Sequence, residues 1–226
     1  MRFITLRLSA FLVIFSSLSK LAFAEINLGT AAPFGIIAAS GISSTGATIV
    51  NGQLGIYPGT ESGITGFPPG ISGAIEANNG VANQAHQDVQ IAYDDAADLA
   101  TNGPTGSDLG GQTLVAGVYT AASSVGLTGM LTLDAQNNPN AEFVFQIGST
   151  LITSTSSSVA LINGARPCKV FWQVGSSATL GAGTIFKGNI LASTSISLNN
   201  GVTVDGSLYA LTGAVTLIND QISAQE

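Results

Sequence analysis

Side chains able to carry acid–base, nucleophilic or redox chemistry are few and dispersed. Beyond residue 24 the chain has one histidine, His86, and one cysteine, Cys168. General acid–base catalysis needs a titrating group held within hydrogen-bond reach of the reacting atom. His86 lies in an Ala- and Asp-rich stretch and reads as a solvated helix residue. Cys168 follows Arg166-Pro167, and with no second histidine to draw off its proton it reads as an inert thiol. Asp94 and Asp95 are adjacent, so on a helix they point about 100° apart and form no carboxylate dyad. No group of His, Cys, Asp and Glu has metal-ligand spacing. Gly181-Ala182-Gly183 lacks the lysine or acidic partner of a nucleotide-binding loop. No enzyme activity, catalytic residue, metal or cofactor is expected.

Charge narrows the partners further. Residues 1–24 have an arginine-bearing start, an apolar run and an Ala22-Phe23-Ala24 ending, the pattern of a secretory signal peptide. Removing them leaves 202 of the 226 residues. Arg166, Lys169 and Lys187 then stand against 13 acidic residues, a net charge of −10 (3 − 13). Nucleic acid and anionic membrane are poor partners for such a chain. The reading is one secreted, extracellular domain over residues 25–226, acting as a monomer, with no internal disulfide.

The elements that must position any site fall into two kinds. Across residues 74–102 β-branched residues are scarce. Val81, Ala85, Val89, Ala92, Ala96 and Leu99 recur at three- and four-residue steps, which predicts a helix over about 79–102. Asn78 or Asn79 can cap it, and Asn102-Gly103-Pro104 stops it. Its mainly alanine seam calls for a long, flat partner.

That partner shows itself as a repeat. Gly183-Thr184-Ile185-Phe186-Lys187-Gly188-Asn189-Ile190-Leu191-Ala192 aligns with Gly201-Val202-Thr203-Val204-Asp205-Gly206-Ser207-Leu208-Tyr209-Ala210 at an offset of 18. Ser177-Ala178-Thr179-Leu180 falls on Ser195-Ile196-Ser197-Leu198 at the same offset. A third copy runs from Gly41, and Phe145-Gln146-Ile147 pairs with Trp172-Gln173-Val174 at an offset of 27. Short strands with glycine corners at such a period predict a β-solenoid. Alternation sends Leu131, Leu133, Phe143, Phe145, Ile147, Ile196, Leu198, Val202, Val204, Leu208, Ala210, Val215 and Leu217 inward.

Function then lies with what points out. Thr203, Asp205, Ser207 and Tyr209, with Ile185, Lys187, Asn189 and Leu191, read as one mixed, charged surface. A second bank reads Ser43, Thr179, Ser197 and Thr216, flanked by Gly41, Ser177, Ser195 and Ala214, with Thr132 and Thr153 as extensions. Ser and Thr are ordinary outward strand residues. A whole face without charge is less ordinary, because charges there favour solubility and block edge pairing. The bank suits a flat, ordered, extended ligand. An extracellular adhesin or carbohydrate-binding solenoid is the alternative; it needs a row of exposed aromatics, for which Tyr209 and Trp172 offer themselves. A polysaccharide-cleaving β-helix would need clustered acids, and the outward acids are scattered.

Taken in order, these segments resemble the secreted microbial ice-binding (antifreeze) proteins. The resemblance runs from Leu28-Gly29-Thr30-Ala31-Ala32-Pro33-Phe34 to Gly213-Ala214-Val215-Thr216-Leu217. It includes Phe143-Val144-Phe145-Gln146-Ile147, Val170-Phe171-Trp172-Gln173-Val174-Gly175 and Thr184-Ile185-Phe186-Lys187-Gly188-Asn189-Ile190-Leu191-Ala192. It implies a mainly β fold, a right-handed discontinuous β-helix of triangular cross-section. One long α-helix packs alongside, and the N-terminal coil inserts beside the C-terminal coils. It also implies adsorption of one flat face to the ice crystal surface. The bank of Ser43, Thr132, Ser177, Thr179, Ser195, Ser197, Ala214 and Thr216 is the expected face. Thr45-Gly46-Ala47-Thr48 resembles a Thr-Gly-x-Thr element, making Thr45, Thr48 and Thr203 secondary candidates. Asn200-Gly201-Val202-Thr203 and Ala182-Gly183-Thr184 are degenerate copies, implying modest activity.

Overall fold

A computed structural model describes residues 25–67 and 70–224; the expected signal segment, 1–24, lies outside them. Three parallel sheets wrap one core, with successive strands of each coil joining different sheets. The 18-residue offset is the coil repeat itself. Thr179 pairs with Ser197, Lys187 with Asp205 and Leu191 with Tyr209. The 27-residue offset pairs Phe145 with Trp172. The N-terminal coil stacks directly on the last one, through Ile36 on Leu208, Ile42 on Val215 and Val50 on Ile222. The stack is therefore discontinuous in sequence, as the matching first and last coils require.

Every strand residue that alternation sends inward is buried. Tyr119, Phe145, Trp172 and Phe186 form an aromatic ladder through the coils, with Phe145 and Trp172 stacked at 4.0 Å between ring centres. Full burial of Trp172 is tolerated because its indole N–H donates to the Lys187 carbonyl at 3.0 Å.

The helix, α1 (Gly80–Asp98), starts where the Asn79 side chain accepts from the Ala82 N–H at 2.9 Å. It covers one sheet of nine strands, which begins at Ile75–Ala77 and ends at Gly103–Pro104. The chain thus uses α1 to travel back along the stack. A second core lies between them: Ala85, Val89, Ala92 and Ala96 pack against Ile37, Val118, Val144, Phe171, Leu191 and Tyr209. The small alanine seam permits this close approach. Two details of the predicted helix change. Val81 is 51% exposed and Ala82 takes its buried place. The helix ends at Asp98, not near 102, because Leu99 is already extended and Asn102-Gly103-Pro104 leads into the edge strand. Gln146 Nε2 donates to the carbonyls of Ala96, Ala97 and Leu99 at 2.9–3.1 Å, closing the open helix end.

The helix-covered sheet also corrects the expected mixed surface. Ser207, Tyr209, Asn189 and Leu191 are all buried, whereas Thr203, Asp205, Ile185 and Lys187 lie on a different sheet. The chain turns the corner between them at Gly188 and Gly206. At Gly206 φ is 143°, and a Cβ would stand 2.1 Å from the Gly188 carbonyl oxygen. Tyr209 OH donates within the second core, to the carbonyls of Ala31 at 3.1 Å and Phe34 at 3.3 Å. His86 is half-buried rather than solvated, its Nε2 2.9 Å from the Leu211 carbonyl oxygen. No helix among the described residues is long and apolar enough to cross a membrane.

Candidate binding face

The helix covers one sheet, so two sheets present outer faces to solvent. The first orders its strands as Val125–Leu127, Leu151–Thr153, Ala178–Leu180, Ile196–Leu198, Ala214–Ile218, Gly41–Thr45 and Ile64–Thr65. Its outward row is Gly126, Ile152, Thr179, Ser197, Thr216, Ser43 and Thr65, in register throughout. Seven rungs at about 4.8 Å span roughly 29 Å. Four of the eight principal expected residues, Ser43, Thr179, Ser197 and Thr216, are consecutive at its centre. Ser177, Ser195 and Ala214 form the neighbouring row with Gly41.

Several hydroxyls on this face are tied to one another or to backbone. Thr216 Oγ1 donates to Ser197 Oγ at 3.1 Å, and Thr150 Oγ1 to Ser124 Oγ at 2.7 Å. Ser177 Oγ accepts from the Ser195 N–H, and Ser195 Oγ from the Ala214 N–H, both at 3.3 Å. These bonds fix rotamers that would otherwise be lost on binding. Among the described residues of this sheet's outward rows there is no charged side chain; Asp108 and Glu61 flank its two ends. Asp108 is turned to structural use. The backbone N–H of Gly110 holds its carboxyl below the ordinary value, with the Thr128 N–H adding to the effect against some desolvation.

Four expected residues sit elsewhere. Thr132 pairs with Ala160 and Thr113, and Thr203 with Ile185 and Gln221; both belong to the third sheet. That face carries the Lys187–Asp205 ion pair and exposes Ile49, Met130, Ile162 and Ile185. Thr153 is buried, with Oγ1 2.9 Å from Thr184 Oγ1 and accepting from the Gly181 N–H at 2.8 Å. Thr48 is buried as well, because Ile49 pairs with Gln221 and so sets Thr48 level with Asp220 and Val202. Its Oγ1 accepts from the Asp220 N–H at 3.2 Å. The Thr-Gly-x-Thr element is thus a corner whose second threonine points inside, while Thr45, Gly46 and Ala47 stay exposed. Thr45 does remain exposed, beside Ile218 on the Ser/Thr sheet.

Three members of the row escaped the sequence reading: Gly126, Ile152 and Thr65. For Ile152 a signal existed. The 27-residue offset carries it onto Thr179, whereas placing Thr153 outward is a one-residue slip that inverts the strand. The carbohydrate alternative loses its platform, since both Tyr209 and Trp172 are fully buried.

The family model described as ice-binding-like matches residues 36–223. Over 199 residues the chain is 50% identical to an ice-binding protein of Nostoc sp. (strain HG1), covering 87% of this chain and 73% of the relative. The crystal structure of an ice-binding protein from the Antarctic ascomycete Antarctomyces psychrotrophicus superposes with a TM-score of 0.85 at 41% identity, covering 90% of this chain and 100% of that one. An ice-binding protein from an Antarctic biological consortium gives 0.85 at 38% identity, with 98% and 96% covered. A solenoid with an inserted N-terminal coil, a helix along one side and an uncharged Ser/Thr sheet on another thus comes with matching sequence along nearly its whole length, and the chain belongs to the ice-binding-like protein family.

Proposed function

We propose that this protein is exported and adsorbs to ice through the Ser/Thr sheet, with Thr179, Ser197, Thr216 and Ser43 at the centre of contact and Ser177, Ser195 and Ala214 beside them. The observation that carries the choice of face is the in-register, uncharged row of small side chains on a rigid sheet, with the Thr216 and Ser197 hydroxyls already joined at its centre. Ice offers no pocket to fill, so affinity has to come from many weak contacts acting together. A rigid lattice suits that, because little ordering entropy remains to be lost. Thr methyls exclude disordered water, while hydroxyls anchor ordered water between protein and crystal. Crystal growth between adsorbed molecules becomes curved. The freezing point falls below the melting point, and recrystallisation slows. Acidic residues on other surfaces keep the protein dissolved.

The test is nanolitre osmometry with crystal imaging on the purified protein. A gap between melting and freezing, with faceted crystals, is the expected result; round, freely growing crystals at high protein concentration would reject ice binding. Thr216→Tyr and Ser197→Tyr each put a bulky ring on the flat row and should abolish most of the gap while circular dichroism stays native. Thr203→Tyr, on the third sheet, should leave it intact. Full activity in both sheet variants would move the site off this face.

A further inference from the structure

Glu142 precedes the strand Phe143–Ile147 and is an unusual carboxylate for a surface so poor in charge. Its Oε1 is buried and has no hydrogen-bond partner. The carboxylate accepts from the backbone N–H of Ile26, whose side chain is itself buried in the core under α1. The nearest cation, Lys169, is engaged with the Glu25 side chain, and Arg166 lies within electrostatic reach of Glu25. The charged groups facing Glu142 are thus one committed lysine and one repelling carboxylate. Burial consequently pushes the Glu142 carboxyl up to about 7, against the pull of Lys169 and the Ile26 N–H.

We propose that cleavage after Ala24 completes this site: the α-ammonium created at Glu25 becomes the missing partner of Glu142. The inference rests on the export reading, which places the cut between Ala24 and Glu25. The backbone nitrogen of Glu25 is within about 4 Å, along the chain, of the Ile26 nitrogen that already holds the carboxylate. Hydrolysis of the Ala24–Glu25 peptide bond turns that nitrogen from a neutral amide into a cation that stays protonated at neutral pH. Processing thereby locks the first residues of the secreted chain onto the stack, beside the strand Phe143–Ile147 and the turn Pro167–Lys169.

The test compares two full-length chains, both exported and cut after Ala24: the natural one, and one with Gly-Ser-Gly inserted between Ala24 and Glu25. The insertion carries the ammonium up to about 10 Å away. Without that partner Glu142 takes up its proton more readily folded than unfolded. The stability this gives is present below pH 4.5 and is lost as pH rises towards 7. Between those values the melting temperature of the inserted form should fall by about 5 °C relative to the natural form. Glu142→Gln in both backgrounds should remove the difference. Coincident melting profiles, or a difference that survives Glu142→Gln, would overturn the pairing. A mass showing that the natural secreted chain starts at a residue other than Glu25 would instead overturn the cleavage assignment on which the pairing depends.

Discussion

At the scale of single residues, the decisive distinction is between hydroxyls that face out and hydroxyls that hold corners. Thr179 and Thr48 are both Thr beside short apolar stretches, yet one lies on the flat row and the other is buried beside Asp220. Asp220 shows why the corner is polar. Its carboxylate accepts from the N–H of Val202 at 2.8 Å and of Ile218 at 2.7 Å, where the chain leaves the ladder of one sheet for that of the next. Desolvation raises the Asp220 carboxyl, with the backbone donors of Ile218, Val202 and Gly201 pulling the other way. Replacing it with alanine leaves buried N–H groups unpaired. Asp220→Ala should cost about 2–4 kcal/mol, read as a drop in the midpoint of urea unfolding. The raised carboxyl also fixes a sign: its share of stability is present below the unfolded value, near 3.9, and is lost as pH rises through the higher folded value.

At the scale of elements, α1 and the nine-stranded sheet depend on each other. The helix has a polar outer side and an alanine seam that cannot be buried without the sheet, and the sheet's outward Val118, Val144, Phe171 and Leu191 cannot be left in water without the helix. The two are also joined by Gln146, which from the strand side closes the helix carbonyls of Ala96 and Ala97 and that of Leu99 just beyond. Gln146→Ala should therefore destabilise by about 1 kcal/mol, with faster amide exchange confined to the last turn of α1 and residues 99–102. Ice binding should be unchanged, because that sheet faces away from the Ser/Thr row. The periodicity made the helix legible, but its end was displaced because a tertiary contact, not a local stop signal, closes it.

At the scale of the molecule, the order of coils in space governs stability. The last coil, with strands Leu208–Ala210, Ala214–Ile218 and Gln221–Ser223, sits between the N-terminal coil and the coil before it on all three sheets. Truncation after Asp205 removes that bridge. The shortened chain should fail to fold, with loss of the β signal in circular dichroism and a red-shifted emission from Trp172, the one tryptophan. A native-like spectrum from that chain would show that the coils before it suffice. No such dependence would follow if the coils were stacked in chain order, since the final coil would then be a removable end.

The amino-acid sequence by itself determined the core-facing side of the regularly alternating strands, the 18- and 27-residue coil offsets, the helix and the absence of charge around Thr179, Ser197 and Thr216. These are local or repeating properties, and alternation with a fixed period carries them. Tertiary structure alone decided which of three sheets a strand joins. Alternation separates in from out but does not number the sides, so Thr132 and Thr203 share the outward phase of Thr179 without sharing its face. It also decided register at the corners, where turns of irregular length shift the phase by one residue and take Thr48 and Thr153 inside. Last, it decided what covers each face. Tyr209 points outward from its strand and is nonetheless buried, because a helix more than a hundred residues earlier in the chain lies over that sheet.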